Sequence, residues 1–134
     1  DLFKTPGIKI INLQYDNAAP DLEAFEKRHG IKIHQAPDLD LFSDLEGAAA
    51  LTKELDLVVT AGTSVSDMAG ALGIPVFTYS FAKHFAKLGT DYVPWFPSMD
   101  ITDFYPGITP KAEYVSVVTD KCKHLIGEMQ RTAS

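Results

Sequence analysis

Residues 55–79, LDLVVTAGTSVSDMAGALGIPVFTY, constrain the fold more than any other part of this chain. A β-branched run at Leu57, Val58, Val59 and Thr60 meets a small-residue turn at Ala61, Gly62 and Thr63. An amphipathic segment follows, Gly73 closes it, and Pro75 leads into another apolar run. The pattern predicts a strand–loop–helix–strand unit. In open α/β sheets the loop at the carboxyl end of a strand is where ligands bind. Ser64-x-x-Asp67 has the form of a capping box, which predicts a helix start there with open backbone N–H groups facing the loop. Those donors and the helix dipole favour an anion, typically a phosphate. The competing reading is a plain βα connection, which needs the same tight turn and cap.

The rest of the chain alternates in the same way. IKIINLQY (8–15) predicts a buried strand, and residues 20–29 a short helix with Pro20 in its first turn and Gly30 as its stop. IKIHQ (31–35) alternates and predicts a more exposed strand. Ser43-x-x-Glu46 is a second capping-box pattern, opening a helix with Leu45, Ala48, Ala49 and Leu51 inward. Strands are predicted at 55–60 and 76–80, a helix at 64–72, and an irregular stretch at 81–97 with one short helix near 84–88. An edge strand is predicted at 99–104. Thr109-Pro110 opens a last helix in which Val115, Val118, Cys122, Leu125 and Met129 form one apolar stripe. Strands separated by helices imply right-handed crossovers and a doubly wound, Rossmann-like parallel sheet in a single α/β domain over residues 1–134.

Composition narrows the partners. With 134 residues, 46% hydrophobic and 22% charged, the chain is long enough for a real core. A formal net charge of -6 argues against nucleic acid or an anionic membrane surface. The one cysteine, Cys122, excludes an internal disulfide framework. No apolar run approaches the roughly 20 residues that cross a bilayer. The expected location is the cytoplasm. The chain starts at Asp1 without a methionine and reads as a fragment of something larger.

Several segments occur in the order found in one known group: NLQY (12–15), DLDL (38–41), LDLVVTAGTSVSDMAGALGIPV (55–76) and PWFPSM (94–99). Together they resemble the C-terminal half of the heptosyltransferase-like glycosyltransferases, including bacterial proteins with tetratricopeptide repeats ahead of the transferase. The resemblance spans nearly the whole chain. It implies the GT-B architecture, whose C-terminal Rossmann-like lobe grips the diphosphate of a UDP-, GDP- or ADP-sugar donor. It implies that Gly62, Thr63 and Ser64 approach the diphosphate, with Asp67 in the first helical turn, and that Gln14 and Tyr15 lie near the nucleoside. By their own position, Lys83, His84 and Lys87 follow the strand ending at Ser80 on the same rim as Gly62; they either neutralise a diphosphate as point charges, Lys83 foremost, or belong to a solvated short helix. Transfer would be metal-independent hexosyl or heptosyl transfer, with no cofactor.

Two positions depart from the group's pattern. An acidic residue usually precedes the threonine and a histidine follows in the first helical turn, where this chain has Gly62 and Asp67. A carboxylate about 4 Å from a phosphate repels it by about 1 kcal/mol in water, and several times more in a shielded cleft. The group's acceptor lobe and the first strand of its donor lobe also precede the matching segment. The isolated chain is therefore not expected to catalyse transfer; the missing N-terminal lobe is an expected partner, and a homodimer an expected assembly. The alternative is a non-catalytic binding or assembly module with a vestigial nucleotide cleft. A small flavodoxin-like domain for a phosphorylated cofactor is a third reading.

Other residues carry weaker signals. Asp38-Leu-Asp40 matches a D-x-D metal motif, but two carboxylates in a loop do not make converging ligands. Cys122 and His124 stand two apart on a helix and face different directions. Tyr92, Trp95, Phe96, Phe104 and Tyr105 would either stack on a base or sugar or pack a long loop onto the core. No Walker loop, GxGxxG or Ser-His-Asp signature occurs.

Overall fold

Short apolar runs bounded by glycine, proline and polar turns become strands, and the stretches between them coil where a cap and a 3.6-residue apolar period coincide. In the computed structural model, which describes residues 2–134, strands and helices alternate except at one place, where two successive strands are joined through a short 3₁₀ turn at Phe85–Lys87. They are β1 (Ile10–Ile11), α1 (Ala19–His29), β2 (Ile33–His34), α2 (Leu45–Lys53), β3 (Val58–Ala61), α3 (Ser64–Ala71), β4 (Val76–Ser80), β5 (Met99–Asp103) and α4 (Lys111–Thr132). Every strand pairing is parallel. The protein is therefore an α/β fold of small Rossmann-like type. It divides into two compact units, Asp1–Ala50 and Leu51–Ser134.

In the first unit β1 pairs with β2, Ile10 opposite Ile33 and Ile11 opposite His34. Both strands are shorter than the predicted 8–15 and 31–35, because only these residues meet a partner in register. Helix α1 carries proline in its first turn and stops at Gly30, whose φ of 64° is the left-handed geometry that favours glycine. Its Glu26 carboxylate reaches back to accept the Ile33 N–H at 2.5 Å, tying the helix to β2.

The cap of α2 differs from the sequence expectation. Ser43 donates to the Asp40 carboxylate instead, while Asp44 accepts the Gly47 N–H at 2.8 Å and so caps the helix. The helix begins one residue later than a Ser43 cap requires, and the shift transfers the role. Gly47 follows from this: a Cβ there would collide with the Asp44 carboxylate and with Leu39.

The second unit holds the larger sheet, in the order β3-β4-β5. β4 is central, with Val76, Phe77 and Thr78 at 1%, 0% and 0% exposure. The ladder extends past the strand ends, as Gly62 N–H donates to Tyr79 C=O at 3.0 Å and Phe104 N–H to Ser80 C=O at 2.6 Å. α3 lies close to this sheet: a Cβ on Gly70 would stand 2.8 Å from Phe96 Cγ and 3.1 Å from Met99 Cε, so glycine there permits close packing. On α4 the predicted stripe is only partly realised. Cys122 is buried, whereas Val115 is 50% exposed. Tyr114 instead anchors the start of the helix, its ring 4.7 Å from Phe104, 5.4 Å from Tyr79 and 5.7 Å from Phe81. Burial, with a hydrogen bond to Tyr79, holds its hydroxyl well above the ordinary phenol range. Burial likewise raises the Cys122 thiol, which keeps it a neutral packing group.

Among the described residues, no helix is long and apolar enough to cross a membrane.

Candidate functional site

The turn between β3 and α3 stands at the carboxyl end of the three-stranded sheet. Its N-cap is Thr63, in an extended conformation at φ -135° and ψ 177°. The reciprocal partner is Ser66, whose hydroxyl accepts the Thr63 N–H at 3.2 Å and donates to the Thr63 C=O at 2.6 Å. This corrects the expected Ser64-x-x-Asp67 box by one residue at each end. Ser66 is 2% exposed, while Asp67 stays on the surface.

The shift changes which donors remain open. Gly62 N–H is used by Tyr79 and Thr63 N–H by Ser66. The following amides, at Ser64 and Val65, begin the helix and have no intrahelical acceptor. With the Ser64 hydroxyl they form the donor set that an anion would meet. Asp67 in the same first turn places a carboxylate near that set.

A histidine completes the turn from another part of the chain. A Cβ on Gly62 would lie 3.1 Å from His84 Nε2 and 3.3 Å from its Cδ2. The imidazole therefore sits directly over Gly62, and the absent side chain is what admits it. Three contacts aim the ring. Its Nδ1 accepts the Ala86 N–H at 3.4 Å, which leaves Nε2 to carry the proton of the neutral ring. The ring stacks on Phe85 at 5.0 Å and 20°. The His84 N–H donates to Asp103 Oδ1 at 3.3 Å.

Asp103 also holds the second basic residue of this segment. Lys87 Nζ lies 2.9 Å from Asp103 Oδ2, with the two side chains only 11% and 13% exposed. Lys87 is thus neutralised inside the fold and is unavailable to a ligand. Lys83 is exposed and, among the described residues, makes no ion pair. Of the three basic residues on this rim, Lys83 is the exposed cation, His84 the aimed donor and Lys87 the structural clamp.

Sequence reasoning named Lys83 but missed the seat of His84. Its signal was Gly62 itself, a glycine where the related pattern has a side chain. That signal has no meaning until the partner 22 residues away is known.

Gln14 and Tyr15 belong to the first unit. They border a polar cavity of about 270 Å³ beyond the carboxyl ends of β1 and β2, together with Asn12, Asp16, Gln35 and Asp40. Asp40 closes the turn after it: its carboxylate accepts from Phe42 N–H at 3.0 Å and from both the N–H and the hydroxyl of Ser43. These bonds hold it below the ordinary carboxylate range, the Ser43 hydroxyl first among them. The D-x-D aspartate thus serves a turn. Among the described residues, no group of three or more His, Cys, Asp or Glu side chains could hold a metal ion.

The aromatic segment splits by role. Phe104 is 5% exposed and packs inward, whereas Tyr92, Trp95 and Tyr105 are 62%, 63% and 44% exposed.

No family model matches the chain, and no solved structure matches it. It is similar to the protein FlbA of Caulobacter vibrioides, with 37% identity over 95 residues. That match covers 71% of this chain but 16% of FlbA, so the chain spans less than a fifth of its relative's length.

Proposed function

We propose that this chain is the nucleotide-diphosphate-sugar binding lobe of a heptosyltransferase-like glycosyltransferase, a doubly wound half of a GT-B protein. The β3–α3 turn is the diphosphate seat. One observation carries the reading: open amides at Ser64 and Val65 and the His84 Nε2 over Gly62 stand at one turn, at the carboxyl end of a parallel sheet. A dipole-aligned helix start and an imidazole N–H donor, with Lys83 as a solvated cation, suit a departing diphosphate without a metal. Gln14 and Tyr15 carry the nucleoside role that the family resemblance implies. Acceptor binding and the catalytic base belong to a preceding lobe, so the chain by itself binds donor and transfers nothing.

The second reading, a module with a vestigial cleft, draws on Asp67. Its carboxylate in the first turn of α3 opposes an anion, and two of the expected donors are already bonded within the protein.

Calorimetric titration with UDP, GDP and ADP at low salt separates the two, with AMP and inorganic phosphate as controls. The donor lobe binds at least one diphosphate saturably. In that case Gly62→Val, which displaces His84 and crowds the turn, weakens binding by about tenfold or more, comparable to losing one charge-assisted contact. Asp67→His tightens it. A folded chain that binds none of the diphosphates, and that gains nothing from Asp67→His, is a vestigial module.

A further inference from the structure

The cavity beyond β1 and β2 has a chemistry unlike that of the β3–α3 turn. Its lining includes Gln14, Tyr15, Asp16, Gln35 and Asp40, and no lysine, arginine or histidine. A phosphate there would face carboxylates with no compensating cation, so the occupant that fits is uncharged at the point of contact. Asn12 and Asp40 are committed to turns, as acceptors for Gln14 N–H at 3.1 Å and for Phe42 and Ser43. The Gln14 amide, the Asp16 carboxylate and the Gln35 amide have no protein partner among the described residues.

Beside these groups stands an aromatic surface. The rings of Tyr15 and Phe42 lie 6.0 Å apart at 48°, and they are 51% and 72% exposed. Of the two, Tyr15 borders the cavity, and an exposed ring beside an unpaired carboxylate and two unpaired amides suits a planar heterocycle. The carboxylate is acceptor-only, and its two oxygens pair best with two adjacent N–H donors. Guanine has that edge, a ring N–H beside an exocyclic amine. Adenine and cytosine set a ring acceptor beside the amine, and uracil sets one N–H between two carbonyls.

We infer that this cavity selects guanine: Asp16 accepts from the ring N–H and the amine, Gln35 donates to the ring carbonyl, and Tyr15 stacks on the base. The inference rests on the donor-lobe reading and names its donor class, a GDP-sugar.

The test is parallel calorimetric titration of the intact chain with GDP, IDP, XDP, UDP and ADP, for the natural sequence and for Asp16→Asn. GDP binds at least about tenfold more tightly than UDP or ADP, the discrimination expected of one bidentate base contact. IDP, which lacks the amine, falls between. Asp16→Asn exchanges one acceptor oxygen for a donor and moves the preference from GDP toward XDP, a gain that mere loss of structure cannot produce. UDP or ADP binding as tightly as GDP overturns the guanine assignment and leaves the donor-lobe reading standing. A GDP preference that Asp16→Asn leaves unchanged overturns the role of Asp16 and the assignment built on it. Absence of binding by all five overturns both this inference and the reading beneath it.

Discussion

The two units use the same βαβ grammar with different amounts of core. In the first, β1 and β2 are two residues each, and among the described residues only Ala18 and Ala48 are buried. In the second, the buried side chains include Val58, Val76, Phe77, Val93, Met99, Ile101, Phe104 and Cys122. Burial of apolar area is the main favourable contribution to folding, near 25 cal/mol per Å². Stability therefore concentrates in the second unit, and the first depends on local bonds such as the Gly30 stop and the Glu26–Ile33 tie. The difference also separates two kinds of site. The β3–α3 turn is bonded to β4 through Gly62 and Tyr79 and capped with the buried Ser66, whereas the β1–β2 cavity is walled by loops and the exposed Tyr15.

The sharpest way to break this comparison is a pair of matched truncations. Phe77→Ala removes a fully buried ring and should cost about 3–5 kcal/mol in urea unfolding. Phe25→Ala removes a half-buried ring that packs on Phe3 at 5.1 Å, and should cost distinctly less. Equal costs would mean that the first unit is held by its apolar packing as strongly as the second.

Next in size is the clamp under His84. Asp103→Ala leaves the Lys87 ammonium buried without its partner, a loss of about 3 kcal/mol or more. Replacing both, Asp103→Leu with Lys87→Met, should recover most of it, because the desolvation of the pair disappears with the pair. The same double variant still lacks the Asp103 bond to His84 N–H, so His84 should become mobile, visible as loss of a defined imidazole environment by NMR. A double variant that keeps the ring in place would show that the Phe85 stack and Ala86 bond suffice.

The smallest effect concerns the cap. Ser66→Ala removes both bonds to Thr63 and should cost about 1 kcal/mol, whereas Asp67→Ala should be nearly neutral to stability. The reverse order would restore the cap to Asp67.

Much of the architecture could be read in advance. The span of β4, the start of α3, the Gly30 stop, the short 3₁₀ turn at Phe85–Lys87 and the edge position of β5 in its sheet all follow from local patterns. Periodicity, glycine and proline act over a few residues, and a single sequence displays them. The site was less legible. Both capping boxes were displaced by one residue, since Asp44 and the Thr63–Ser66 pair occupy the cap geometry in place of Ser43 and of Ser64–Asp67. Serine, threonine and aspartate all satisfy a cap, and only the backbone angles at the helix start choose among them.

The sequence by itself determined an alternating α/β chain with a small-residue turn after β3, because hydrophobic period and turn chemistry are local properties. Tertiary structure decided which polar groups remain open there. Lys87 is withdrawn by Asp103 across 16 residues, and His84 is brought over Gly62 by a loop that returns between β4 and β5. Those pairings depend on distances that exist only once the sheet is assembled, since a charge or an imidazole acts on whatever the fold places within a few ångströms of it.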